Sequence, residues 1–192
     1  KIADTRFYKT NRPYSQLSYQ LASGQEQMIK AFHTQSPRPN WNFGFDYKLI
    51  SAPGFFITQN SNHKSYRLFS NYQGLRKRYA AYVVLQGNKI KNSENGGIQN
   101  DSLLNNPNNK ERFSIPVNLG NAANYSPNPF NTSVTTGNIY KEFTFFYRHS
   151  YDIGKKDSLV VNDSTTDYLF YPKLRLQHTF SYKTDNYLFN DF

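Results

Sequence analysis

Cysteine is absent from the 192 residues, and methionine and tryptophan occur once each. Without cysteine there is neither a disulfide framework nor thiolate chemistry, although its absence says little about compartment. Long apolar runs are missing too. Mean hydropathy is −0.79, and nothing approaches the roughly 20 consecutive apolar residues of a membrane-spanning helix. That excludes a helical membrane protein but not a transmembrane barrel, whose strands need only about 9–11 alternating residues and average out as polar.

Recognisable catalytic or ligating constellations are scarce as well. His33, His63, His149 and His178 are isolated, without His-x-His or His-x-x-x-His spacing, so no metal site is expected. His178 interrupts the apolar side of its segment and reads as an interface-level side chain. Glu94 and Asp101 lack calcium-loop spacing. No nucleophile elbow, Ser/His/Asp order or phosphate-binding glycine loop occurs, and no carboxylate pair stands out as a glycosidase dyad. The expectation is a protein that is not an enzyme and carries no cofactor. The chain opens on Lys1 with no Met, secretory signal or transit peptide, which reads as a processed chain or a fragment.

What the chain has in abundance is aromatic residues and positive charge. Tyrosine and phenylalanine contribute 16 residues each, and 23 basic against 13 acidic side chains leave a net charge of +10. Such a surplus suits nucleic acid, an anionic membrane surface or an anionic solute. Acids scattered among the bases weigh against nucleic acid, and none is expected as a partner.

The aromatic residues are arranged. From Lys173 to Thr184, Leu174, Leu176, Phe180 and Tyr182 alternate with Arg175, Gln177, Thr179, Ser181 and Lys183. From Asn40 to Leu49, Trp41, Phe43, Phe45, Tyr47 and Leu49 alternate with Asn42, Gly44, Asp46 and Lys48. Period two sends successive side chains to opposite faces of a strand. The same pattern marks Pro13–Ala22, Ser65–Tyr72, Arg78–Gln86 and Tyr140–Asp152. Residues 13–22 and 26–35 read as paired strands joined near Ser23-Gly24, with a rigid turn at residues 36–40. Ser51-Ala52-Pro53-Gly54 reads as a kink in one long element resumed by Phe55-Phe56-Ile57, and residues 154–166 as a polar connection. Residues 88–138 lose all periodicity and read as one long polar loop, with Arg112–Leu119 its best candidate for a hidden strand.

The hydrophilic face carries full charges and is therefore wet; the aromatic face touches a core, a sugar or lipid. A soluble sandwich favours Val, Ile and Leu on strands of about 5–6 residues. Here strands reach ten or more and the apolar side is largely Tyr, Phe and Trp, whose buried hydroxyls would each need a partner. Aromatic girdles and short turns alternating with long polar loops belong to an outer-membrane wall. The expected fold class is therefore all-β, an antiparallel transmembrane β-barrel of outer-membrane type. Residues 1–192 would form part of one barrel domain, since about seven strands cannot close a bacterial barrel and open edges are not viable in lipid. The expected lipid-facing set is Trp41, Phe43, Phe45, Tyr47, Leu49, Phe143, Phe145, Tyr147, Leu174, Leu176, Phe180 and Tyr182. The expected pore-lining set is Asp46, Lys48, Arg67, Arg78, Glu142, Arg148, Asp152, Arg175 and Lys183. Each of the latter also fits the solvated face of a soluble sheet.

Several stretches carry a resemblance: Arg12-Pro13-Tyr14; Ser23-Gly24-Gln25-Glu26-Gln27; residues 47–55; Glu94-Asn95-Gly96-Gly97-Ile98; Ile115-Pro116-Val117-Asn118-Leu119; and His178-Thr179-Phe180-Ser181-Tyr182. On these, in collinear order, the chain resembles the putative porin family of Bacteroidetes-type outer membranes. The resemblance implies a larger barrel of which this is an early-to-middle portion, and it brings no catalytic residues. The expectations that follow are a cell outer membrane location and contact with outer-membrane lipid. The first function expected is a porin passing small hydrophilic solutes by passive diffusion. Six bases against three acids in the pore-lining set suggest a modest anion preference. The alternatives are a non-conducting barrel subunit held with other outer-membrane proteins, and a secreted carbohydrate-binding β-protein. The long loop would either constrict the pore or stand outside as a docking surface.

Overall fold

The computed structural model describes residues 2–54, 56–74, 76–111, 114–120, 128–131, 134, 136–162 and 165–190; for residues 3, 131, 158–162 and 165–168 this means the backbone alone. Among the described residues, seven strands form one antiparallel sheet in chain order: β1 (Tyr14–Leu21), β2 (Gln27–Arg38), β3 (Trp41–Ala52), β4 (Ser61–Gln73), β5 (Tyr79–Ser93), β6 (Gly137–Asn162) and β7 (Thr165–Asn190). Each strand pairs only with its sequence neighbours, so the sheet is an up-and-down meander with β1 and β7 as open edges. The fold of the described residues is all-β, a single open antiparallel sheet.

Connections alternate in length. Residues 22–26, 53–60 and 94–136 join strands at one end of the sheet, the loop end. Residues 39–40, 74–78 and 163–164 join them at the other, the turn end. β6 and β7 have 26 residues each, and β5 leaves the ladder at Tyr79 opposite Tyr151. Their hairpin therefore continues for about ten residues past its neighbours, ~33 Å at the rise of a strand.

Several boundaries differ from the sequence reading, each for a physical reason. The loop expected at 88–138 is shorter, 94–136, because β5 continues to Ser93 and β6 starts at Gly137. Residues 154–166 are mostly hairpin rather than a polar connection. Lys155, Lys156 and Asp157 are all exposed, so no alternation marks the strand there. β3 ends at Ala52 instead of resuming at residues 55–57: residues 53–60 turn the chain into β4. Pro37 lies within β2, where the ladder slips between Gln35 and Arg38, a bulge that needs no donor from proline. Of the segment 112–119, Arg112 and Phe113 lie outside the described residues; the rest forms one bridge, Val117 to Ile98.

That bridge joins two of the resembling stretches. Gln99 N donates to Pro116 O at 3.2 Å, Asn118 N to Gly97 O at 3.0 Å and Leu119 N to Asn95 O at 2.8 Å. Gly96 sits at φ +64, and a Cβ there would meet Leu119 Cγ at 2.7 Å, so glycine allows both the backbone angle and the approach. Thr58 of the β3–β4 connection donates from Oγ1 to Leu119 O at 3.2 Å. Two resembling stretches and the β3–β4 connection thus meet at the loop end as one cap.

Candidate functional site

Cross-strand partners share a face, so the pairings sort every strand residue into two sets. One row runs Phe32, Asp46, Arg67, Gln86, Thr144, Lys183 from β2 to β7; the next toward the loop end runs Lys30, Lys48, Ser65, Asn88, Glu142, Asp185. Arg148, Asp152 and Arg175 lie on this polar face, and Arg78, just before β5, continues its phase. All nine residues expected to line a pore therefore share one face. The sequence reading missed Lys30 and Asp185, which the same rows bring in. One base and one acid leave the surplus of three positive charges unchanged. Lys30 was legible, since it alternates with Ile29 and Ala31.

The polar face is hollowed. A cavity of about 700 Å³ lies over β1–β3, lined among others by Tyr14, Gln16, Gln20, Lys30 and Asp46. A second, of about 340 Å³, lies toward the turn end and includes Arg78, Arg148, Asp152, Arg175 and Gln177. Arg175 grips Asp152 with two hydrogen bonds, Nε to Oδ1 at 2.6 Å and Nη2 to Oδ2 at 2.8 Å. Arg67 Nε donates to Gln86 Oε1 at 3.2 Å and Arg148 Nε to Thr179 Oγ1 at 3.3 Å. Arg78 lies 4.4 Å over the Phe170 ring. Tyr140 donates to Asp185 at 2.6 Å, and Lys183 pairs with the same carboxylate at 3.1 Å. Side chains held in this way present oriented charge with little reorganisation.

Between the cavities an unanticipated element crosses the same face. Phe7 packs on Tyr82 and Phe69 with ring centroids 5.0 and 6.3 Å apart, and Tyr8 on Phe32 and Phe69 at 5.4 and 5.8 Å. Thr10 N donates to Ser36 Oγ at 3.1 Å. Residues 7–10 thus strap the hollow, and Phe69 and Val84 beneath them are 4% and 1% exposed. Of the long loop, residues 95–99 and 116–119 cap the loop end and Pro129–Asn131 lies against β3.

The opposite face holds all twelve residues expected to face lipid. Leu17, Leu68, Leu174, Leu176, Phe180 and Tyr182 are 48–79% exposed. Leu49 departs from the expectation: it is fully buried. The Pro129–Asn131 turn packs on β3 and accepts from Asn62 Nδ2 at 2.9 Å and Lys64 Nζ at 3.1 Å, with Lys64 directly opposite Leu49. His149 and His178, far apart in sequence, pair across β6 and β7 on this face with rings 5.5 Å apart. Two imidazoles fall short of a closed metal shell, and no group of three His, Asp or Glu that could hold a metal occurs among the described residues.

The apolar band on this face slides. In β1 it is Leu17, Tyr19 and Leu21, beside the loop end; in β7 it is Leu174 to Tyr182, toward the turn end. The row through Tyr19 passes Ile29 and Leu49, then turns cationic at Lys64, Lys89 and Lys141 and reaches β7 at Asn186. The band centre, Tyr19 in β1 and His178 in β7, therefore slides about eight residues while the sheet advances six strands. With ~3.3 Å per residue and ~4.8 Å between strands, the strands lie about 40° from the normal to the band. Barrel strands in membranes tilt about 35–45°.

A family model described as Putative porin matches residues 1–192. The chain belongs to that family. No curated protein and no solved structure matches it. Membership in a porin family gives the two-faced, tilted sheet its setting, a wall segment of an outer-membrane β-protein. The aromatic band covers one side of that wall and the hollowed polar face the other. Gly44 and Gly87 show how tightly that wall is built. A Cβ on Gly44 would meet Phe69 Cζ at 2.5 Å on the hollowed face, and one on Gly87 would run into the Tyr66 ring on the aromatic face.

Proposed function

We propose that the completed barrel is a diffusion porin for small hydrophilic solutes with a modest preference for anions, and that it performs no catalytic step. The observation that carries this reading is the segregation of charge. Asp46, Lys48, Arg67, Arg78, Glu142, Arg148, Asp152, Arg175 and Lys183 sit on the hollowed face of a sheet tilted by about 40°. An excess of cationic side chains around a water-filled lumen favours anions. The two free edges, β1 and β7, call for further strands to close the wall, because unpaired backbone is not tolerated in lipid. Long connections at one end and short turns at the other support placing the loop end outside the cell.

The test is the reversal potential of the full-length barrel in a planar bilayer under a salt gradient. An anion-selective potential that collapses in molar salt, where the screening length falls to about 3 Å, is the expected result. Clear cation selectivity would sink the proposal.

The strap of Phe7 and Tyr8 favours a second reading, a barrel whose lumen is occluded and which serves as a structural subunit beside other outer-membrane proteins. Stoichiometric co-purification of a partner together with absent conductance would favour it.

A further inference from the structure

The lipid-side face carries a feature that a diffusion pore does not use. Between the register shifts at Gln35/Arg38 and Ile153/Gly154, its ladder positions contain no carboxylate, and their charged residues are Lys64, Lys89, Lys91 and Lys141. These four sit on three adjacent strands. Lys64, Lys89 and Lys141 are direct cross-strand neighbours in one row, and Lys91 lies one position toward the loop end on β5. Like charges placed opposite each other destabilise a sheet. An anion lying among the ammonium groups would offset that repulsion.

Position says what that anion belongs to. The row lies just beyond Tyr66, Leu85 and Phe143, where the apolar band ends on β4, β5 and β6 at the loop end. Charges at that level are at headgroup depth, past the hydrocarbon. Lys141 is exposed, while Lys64, Lys89 and Lys91 keep their stems half-buried, as lysines do when they reach outward along an apolar surface. Beside them Phe130 of the long loop is 56% exposed, and its carbonyl accepts from Lys64 Nζ. An exposed aromatic next to cations at the edge of an apolar band is the composition of a membrane interface.

We propose that Lys89, Lys91 and Lys141, with Lys64 behind them, bind the phosphate of an anionic lipid headgroup on the outer wall of the barrel. The proposal rests on the membrane-wall reading of the sheet but not on an open pore. It implies that the barrel selects phosphate-rich lipid as its neighbour at this one arc of its circumference.

The test uses the full-length barrel, purified in detergent, with native mass spectrometry reading bound lipid. Three probes are compared: phosphatidylglycerol, phosphatidylcholine and inorganic phosphate. Wild type should retain phosphatidylglycerol over phosphatidylcholine. The Lys89→Gln/Lys141→Gln pair should weaken phosphatidylglycerol roughly thirtyfold, since each cation near an anionic surface contributes about 1 kcal/mol. Lys89→Arg should keep the binding. Equal retention of both lipids, or unchanged phosphatidylglycerol binding in the double variant, overturns the proposal. Complete displacement by millimolar inorganic phosphate also overturns it, in favour of a simple ion site. Heat-dependent gel mobility and insertion into vesicles are scored in parallel. A wild-type chain that never inserts overturns the membrane reading itself, whereas insertion without lipid preference overturns this proposal alone.

Discussion

Asp152 and Arg175 face each other across β6 and β7 as a two-pronged ion pair, one step before the ladder slips at Ile153. The Asp152 side chain is 11% exposed and that of Arg175 62%, so the pair is anchored at its acid and open to solvent at its base. Removing either partner changes the charge of the inner face without touching the band.

Asp152→Asn should therefore increase anion preference, and Arg175→Gln should reduce it. Both are read as shifts of the reversal potential in bilayers, in opposite directions and fading above about 0.5 M salt as screening shortens. Equal shifts in one direction would show that the pair acts through structure rather than through charge.

Gly44→Val should impair folding. Its Cβ would meet Phe69 Cζ and His33 O, both at 2.5 Å, and one of these is backbone. Overpacking of this kind costs about 1–3 kcal/mol. The measure is the urea midpoint for folding into vesicles, with Gly97→Val as the contrast for backbone strain without crowding, since nothing lies within 4 Å of a Cβ there.

Leu68→Arg should cost about 2–4 kcal/mol in the same assay, the penalty for a cation near the midplane of a lipid-facing strand. Leu68 is 48% exposed in the middle of the band. Ser65→Arg, on the inner face of the same strand, should leave folding stability within about 0.5 kcal/mol, as exposed polar-site changes do. Similar costs for the two would remove the distinction between the faces.

Phe7→Ala should raise single-channel conductance by loosening the strap, with a loss of about 0.5–1.5 kcal/mol from each broken ring pair. Unchanged conductance would place the current path elsewhere than between Phe7 and Tyr82.

Sequence revealed the strands only where an apolar face alternates with a polar one. Alternation is sharp from Trp41 to Tyr47 and from Leu174 to Tyr182, and those elements and their phase were legible. At Lys89 and Lys91, or at Lys155 and Lys156, charged residues break the apolar alternation, so nothing marks that β5 and β6 continue. The bulge at Pro37 hid the end of β2 for a related reason: proline signals the loss of a donor, not the end of pairing. The strap escaped entirely. Phe7 meets Phe69 and Tyr82 across more than sixty positions of chain, and no local pattern records such a contact. The pairing of residues 95–99 with 116–119 was hidden likewise, although both stretches carried the family resemblance.

The tall β6–β7 hairpin makes the rim at the turn end lopsided. In the proposed pore, a dissolved anion arriving from that side would meet Lys155, Lys156 and Lys173, all exposed on the projecting lip, before reaching Arg175 and Arg148 deeper down. The field it feels is then sideways as well as inward. Capture would be fastest along one sector of the mouth, so that the projecting lip acts as a scoop whose pull depends on ionic strength.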